Sequence, residues 1–319
     1  MGNKNAAEIL LTVCAGAQKD EKILFVSDDT SAEIADIMWR SSTDYKNRSM
    51  TRMIDRKMHG EEPTATVAAA MLQADVIFGI TKFSMFHTAA RREAVANGAR
   101  FVNMADYSKE MLSSGGLFVD FEKQGALMDL VSDRLEGETI RITTALGTDL
   151  TASICGRKAV RQYGRSLVPG ASSSPPDIET AIGPVEGTAN GISVIDGSIP
   201  FPGLGVLTGF IKMTIKDGVI TKIEGGGEAE VLEKGLADLD DPYAYHIAEV
   251  GFGFNDSSVF CNRMLEDEGV MGTVHFGFGN NISFGGSVGS KNHIDMVFTK
   301  PSVWVDGRRI MENGEYIVD

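Results

Sequence analysis

YHIAEVGFGFN (Tyr245–Asn255), GTVHFGFGNN (Gly272–Asn281) and KNHIDMVF (Lys291–Phe298) are three pieces of one stretch, joined by an acidic connector and a Gly/Ser-rich crossing. Of the five histidines in the chain, His246, His275 and His293 fall here. Glu249 stands three residues after the first, and Asp295 two after the last. Imidazoles and carboxylates are the ligands that divalent iron, zinc and manganese accept, so their concentration in a histidine-poor chain points to a metal centre. His293-Ile294-Asp295 lies in an extended run, and side chains two apart on a strand share a face. Both can therefore reach one ion while Ile294 faces away. His246 and Glu249 share a face if YHIAEV is helical. His275 sits where glycines alternate with phenylalanines, and glycine lets a backbone pass close to a bound group. One such histidine read alone would be a hydrogen-bonded interior residue; the set together favours a shared metal site.

Outward from this stretch, the chain changes texture near residue 130. Residues 1–130 alternate strand and helix patterns: KILFVSDD (Lys22–Asp29), a helix from Ser31 capped by Thr30-Ser31, ADVIFGIT (Ala74–Thr81), a helix over His87–Ala99 stopped at Gly98, and ARFVNMAD (Ala99–Asp106). That rhythm predicts a Rossmann-like α/β domain on a parallel sheet. No GxGxxG follows the first strand, which argues against a dinucleotide. His87 follows the second strand, at the carboxyl edge where such sheets bind ligands. It reads either as a general base or as the first residue of a helix. His59, in the polar RKMHGEEP, reads as a solvated loop residue.

Residues 131–319 read as a β-rich α+β domain that carries the metal ligands. Glu138–Arg157 alternates apolar and polar residues across a hairpin turning at Gly147, and Asp217-Gly218, Asp306-Gly307 and Asn313-Gly314 are further hairpin turns. A helix is expected around ADLDDPYAYHIAEVG, and the acidic LEDEG (Leu265–Gly269) reads as a solvent-facing loop.

The 319 residues are ample for two cores, and 43% apolar with 23% charged residues is ordinary for a globular protein. A net charge of −14 excludes nucleic acid and anionic membrane surfaces as main partners. Cys14, Cys155 and Cys261 are too scattered for a disulfide framework and suit a reducing cytoplasm. The opening MGNKNAAEILLTVCAGA has too short an apolar run for export or spanning. A cytoplasmic enzyme is the expectation.

The order GTDL (Gly147–Leu150), E-x4-P-x5-NG (from Glu179), AE-x-GFGFN, GTVHFGFG, HID and VDG resembles the aminopeptidase T family of metallopeptidases. It is most similar to relatives of 2,5-dihydroxypyridine 5,6-dioxygenase, well over Glu138–Asp319 and loosely before it. The peptidase resemblance implies two divalent ions (zinc, cobalt or manganese) held by Glu179, Glu249, His275, His293 and Asp295, with Glu268 near the place of a further glutamate but at a different spacing. The dioxygenase resemblance implies a single Fe(II) held by His246, His293 and Asp295, with His87 and His275 catalytic. Its substrates would be a hydroxylated N-heteroaromatic and O2, in a homo-oligomeric enzyme. Independently of the resemblance, a cleft between the two domains is the expected place for the active site. Phe252, Phe254 and Phe276 read either as walls of an aromatic-substrate pocket or as core.

Overall fold

The computed structural model describes residues 5–318. By its contacts the chain divides into two compact units, Met1–Phe121 with Gln162–Pro176, and Glu122–Arg161 with Asp177–Asp319. In chain order the strands are β1 (Lys22–Asp28), β2 (Asn47–Met53), β3 (Val76–Ile80), β4 (Arg100–Asn103), β5 (Thr139–Thr143), β6 (Asp149–Ser153), β7 (Val160–Gln162), β8 (Ser172–Ser173) and β9 (Glu179–Ile182). They continue as β10 (Asn190–Ile195), β11 (Ile211–Lys216), β12 (Val219–Gly225), β13 (Ile247–Gly253), β14 (Val274–Gly279), β15 (His293–Phe298), β16 (Ser302–Val305), β17 (Arg308–Glu312) and β18 (Glu315–Tyr316).

The first unit is the expected parallel sheet, in the order β2-β1-β3-β4-β8. β3 and β4 are buried along their whole length and β1 from its second residue, which is why they read as unbroken apolar runs. Helices Ala32–Ser41, Ala65–Met71 and Ala89–Ala96 connect the strands. Val67, Met71, Ala90 and Ala94 from the last two pack with Leu24, Val26, Ile77 and Phe101 of the sheet. Thr64 and Thr88 cap these two helices by accepting from the amides of Val67 and Arg91. The expected Thr30-Ser31 cap is not made. Instead Asp28, buried at the end of β1, accepts from the Ser31 and Lys82 amides, while the Thr30 hydroxyl donates to Asp55. A carboxylate at the strand end thus does the work assigned to a hydroxyl.

His87 is exposed just before Thr88, its ring 5.4 Å from that of Phe86. His59 is less free than its polar surroundings suggest: its Nδ1 accepts from the Ser84 amide at 3.1 Å, and its ring meets Phe83 edge-on.

The second unit holds two antiparallel sheets. The eight-stranded one runs β12-β11-β10-β6-β5-β16-β17-β18. Its hairpins close at Asp217-Gly218, Asp306-Gly307 and Asn313-Gly314, where both central residues have positive φ, as type I′ turns require. The five-stranded sheet runs β15-β14-β13-β9-β7. Here one expectation fails. Residues 247–253 form a strand rather than part of a helix, preceded only by the short turn Pro242–Tyr245; the helix ends earlier, at Asp238. Every residue of β13 is buried, so its apolar content has no two-fold alternation to distinguish it from a helix. Only its glycines spoke against one.

Among the described residues, no helix is long and apolar enough to cross a membrane.

Candidate metal centre

The five-stranded sheet explains the alternation of glycine and phenylalanine. Cross-strand register places Glu249 beside Gly277 and Gly277 beside Asp295; Gly251 pairs with His275, Gly279 with His293, and Gly253 with Glu179. Residues directly opposite on neighbouring strands share a face, so one face of this sheet carries large polar side chains, each set beside a bare glycine. The space is used: a Cβ on Gly251 would meet His275 Nε2 at 2.0 Å, and one on Gly277 would meet Glu249 Cγ at 2.6 Å and His293 Nε2 at 2.8 Å. The other face takes the phenylalanines. Phe252, Phe254, Phe276 and Phe278 are wholly buried, each contributing about 2–3 kcal/mol of burial. Phe254 stacks on Tyr316, and Phe276 packs on Phe298. The period of two that sends His275 to the polar face sends Phe276 to the core.

Two groups of candidate ligands, one with a histidine and one of carboxylates alone, meet at the polar face. Ligand atoms of Glu249, His293 and Asp295 lie within 4.8 Å of one another, as do those of Asp177, Glu179 and Glu268. His293 Nε2 is 3.1 Å from Glu249 Oε1 and 3.2 Å from Asp295 Oδ1. His275 Nε2 is 3.3 Å from both Glu249 Oε1 and Glu179 Oε2, joining the groups. His293 Nδ1 is 2.8 Å from the Asn280 carbonyl oxygen. That oxygen can only accept, so the proton sits on Nδ1 and a neutral ring offers its Nε2 lone pair to the carboxylate side.

The chemistry of the donors fits divalent cations. Asp177, Glu249, Glu268, His275 and Asp295 are buried, yet Asp177 Oδ1, Glu179 Oε2, Glu249 Oε2, Glu268 Oε1, Asp295 Oδ1 and both ring nitrogens of His275 have no hydrogen-bond partner. Buried polar atoms are rarely left so, and a cluster of them within ligand distance is what a bound ion would satisfy. The proton affinities agree. Burial, then the charge of neighbouring carboxylates, pushes Asp177 and Glu268 well above the usual carboxylate range; burial also raises Glu179. At His275 and His293 burial opposes the charge, but the surrounding carboxylates outweigh it and both are pushed well up. Asp295 is held down because the His293 charge outweighs its burial.

These directions fix a pH dependence. Without metal, the raised groups make the folded chain bind more protons than the unfolded chain, so stability falls as pH rises. The opposite contribution of Asp295 is already complete above about pH 4, its ordinary range. We expect the melting temperature of chelator-treated protein to drop as pH is raised from about 5 to 8, and that of metal-loaded protein not to. A chelator-treated melting temperature that rises over this range would count against the cluster.

The structure thus brings together Glu179, Glu249, His275, His293 and Asp295. His246 stays apart. No three-residue group of ligand atoms within 4.8 Å among the described residues includes it. It ends the Pro242–Tyr245 turn, its carbonyl accepts from the Gly279 amide, and its ring lies 5.6 Å from Tyr243. Sequence reading misses Asp177 and sets Glu268 only near a family glutamate, at a different spacing. Asp177 stands two before Glu179, the same spacing that exposed His293 and Asp295. Glu268 sits in LEDEG, which is buried and not a solvent-facing loop: Leu265, Glu266, Asp267 and Glu268 are at most 7% exposed. Asp267 anchors it by accepting from the Cys261 and Asn262 amides and the Ser198 hydroxyl. Nothing in a run of three acidic residues announces a partner as distant in sequence as Ser198.

A family model described as 2,5-dihydroxypyridine 5,6-dioxygenase matches residues 12–318. The chain belongs to that family. A 2,5-dihydroxypyridine 5,6-dioxygenase of Pseudomonas putida is 26% identical over 192 residues, a stretch covering 57% of this chain and 55% of that protein. The fold is that of the dioxygenase structure from the same organism, with a TM-score of 0.81 at 19% identity over 98% and 97% of the two chains. AmpT from Thermus thermophilus shares it at a TM-score of 0.70 and 14% identity, over 98% of both chains.

Proposed function

We propose that this family member is a metal-dependent dioxygenase that opens the ring of a hydroxylated N-heteroaromatic such as 2,5-dihydroxypyridine, consuming O2. Membership of the family over nearly the whole chain supports the reaction class. The observation that carries the site is the Glu249–His293–Asp295 group, with His275 Nε2 beside Glu249. His275, His293 and Asp295 supply two imidazoles and a carboxylate, the donor set of non-haem Fe(II) oxygenases. Fe(II) held there would supply electron transfer from a chelated substrate to dioxygen.

The chain's own residues prepare that chemistry. The Asn280 carbonyl keeps the His293 ring in the tautomer that presents Nε2. Gly251 and Gly277 leave the room that the imidazoles and Glu249 occupy. The phenylalanine face beneath excludes water from the back of the sheet, which strengthens every electrostatic interaction on the front.

A second reading, a two-metal aminopeptidase-like hydrolase, is favoured by one observation: the adjoining Asp177–Glu179–Glu268 group. Five carboxylates and two imidazoles exceed what one divalent ion needs. Metal analysis of purified, reloaded protein, run beside oxygen-uptake and amide-hydrolysis assays, separates the two. About one iron per chain with oxygen consumption on 2,5-dihydroxypyridine is expected. Two zinc, cobalt or manganese ions per chain with hydrolysis of amino-acid anilides, and no oxygen uptake with iron, would replace the first reading by the second.

A further inference from the structure

Beside the metal cluster lies an open depression of about 570 Å³, lined by Arg157, Lys158, Val160, Val185 and Phe284 among others. Its volume falls in the range of small-molecule sites. The depression and the cluster share a wall, because the Phe284 ring lies over His293, with centroids 5.7 Å apart and planes 26° from parallel. Of the two site histidines His293 is the one open to solvent, its side chain 28% exposed against none for His275.

Phe284 is held in place from two sides. Beneath it Gly183, which follows β9, is so close that a Cβ there would meet Phe284 Cβ and its carbonyl oxygen at 2.9 Å. Beside it Arg157 donates to the Gly285 carbonyl and pairs with Glu186, which in turn accepts from the Ser287 amide and the Asn281 side chain. Burial works against the Glu186 charge, but these donors outweigh it and hold the carboxyl at about 2. Glu186 is therefore a permanent anion, and the Arg157 charge is spent on it. Lys158 is different. It is exposed, lines the same depression, and makes no ion pair among the described residues.

The geometry points to this depression as a subsite for a planar aromatic monocarboxylate, its ring against Phe284 and its carboxylate on the Lys158 ammonium. One uncompensated cation in a protein of net charge −14 matches one negative charge. A phosphate dianion would want a second free cation, and Arg157 is already neutralised. The inference deepens the functional reading above by giving its aromatic substrate a carboxylate, and it rests on that reading only for the role of the ligand as substrate.

The test is binding rather than turnover. Pyridine-3-carboxylate and its uncharged amide, pyridine-3-carboxamide, are titrated calorimetrically into the metal-loaded full chain. The acid is expected to bind about 2- to 5-fold tighter, the size of effect that an exposed ion pair gives. Lys158→Ala should erase that preference while keeping metal content and circular dichroism, and Lys158→Arg should keep the preference. Phe284→Leu should weaken acid and amide alike. Equal affinity of the two probes for the wild type, no binding of either, or a preference that survives Lys158→Ala, as it would if the carboxylate sat on the metal, overturns the inference. If no hydroxylated pyridine, with or without a ring carboxylate, is consumed with O2 but the preference depends on Lys158, the functional reading falls and the subsite stands.

Discussion

His293→Ala and Asp295→Ala are each expected to strip the bound metal and lower activity by more than about 100-fold, the upper end of what losing only an outer partner of a ligand costs. The two side chains come from one strand, share a face, and point ligand atoms at Glu249 within 3.2 Å of each other. Neither has a substitute at that end of the cluster. Substitution should not unfold the chain, because β15 keeps Ile294, Met296 and Phe298 in the core whatever stands on the other face. His246→Ala is the matched control and is expected to retain metal. Metal content after gel filtration, with circular dichroism on the same samples, reads all three variants. Wild-type metal in both His293→Ala and Asp295→Ala would remove this pair from the site, and loss of metal in His246→Ala would restore the triad that the resemblance implied.

The second large effect comes from a residue with no side chain. Gly251→Ala places a methyl group 2.0 Å from the position of His275 Nε2. His275 is wholly buried on a central strand, so the ring cannot swing into solvent. Either it leaves the line joining Glu179 and Glu249 or β13 and β14 separate. Overpacking of this kind costs about 1–3 kcal/mol, and we expect a lower melting temperature together with at least a 10-fold loss of metal affinity. Gly226→Ala is the comparison, since an added Cβ there meets nothing within 4 Å. If Gly251→Ala binds metal as the wild type does, the close packing of His275 is not what holds the site together.

Both predictions turn on the difference between local and long-range information. The sequence by itself determined what repeats over a few residues. The buried strands and helices of the first unit, the Asp-Gly and Asn-Gly hairpins of the second, and the His293–Asp295 pair all follow from backbone periods and turn stereochemistry that act within about ten residues. The motif order further carried the family. Tertiary structure alone decided which histidine meets which carboxylate. Glu179, Glu249 and His275 come from separate segments, and only the register of β9, β13 and β14 aligns them with the His293–Asp295 pair on β15, while Glu268 arrives from the end of the short helix Met264–Asp267. His246 has as good a neighbourhood in sequence as His275, yet it stands on a turn outside the array, because residues 247–253 form a strand where a helix would have set it beside Glu249. LEDEG reads as solvated because charge is normally cheapest in water. Its burial makes sense only once Asp267 has found the Cys261 and Asn262 amides and the distant Ser198 hydroxyl, and Glu268 a place beside Asp177 and Glu179.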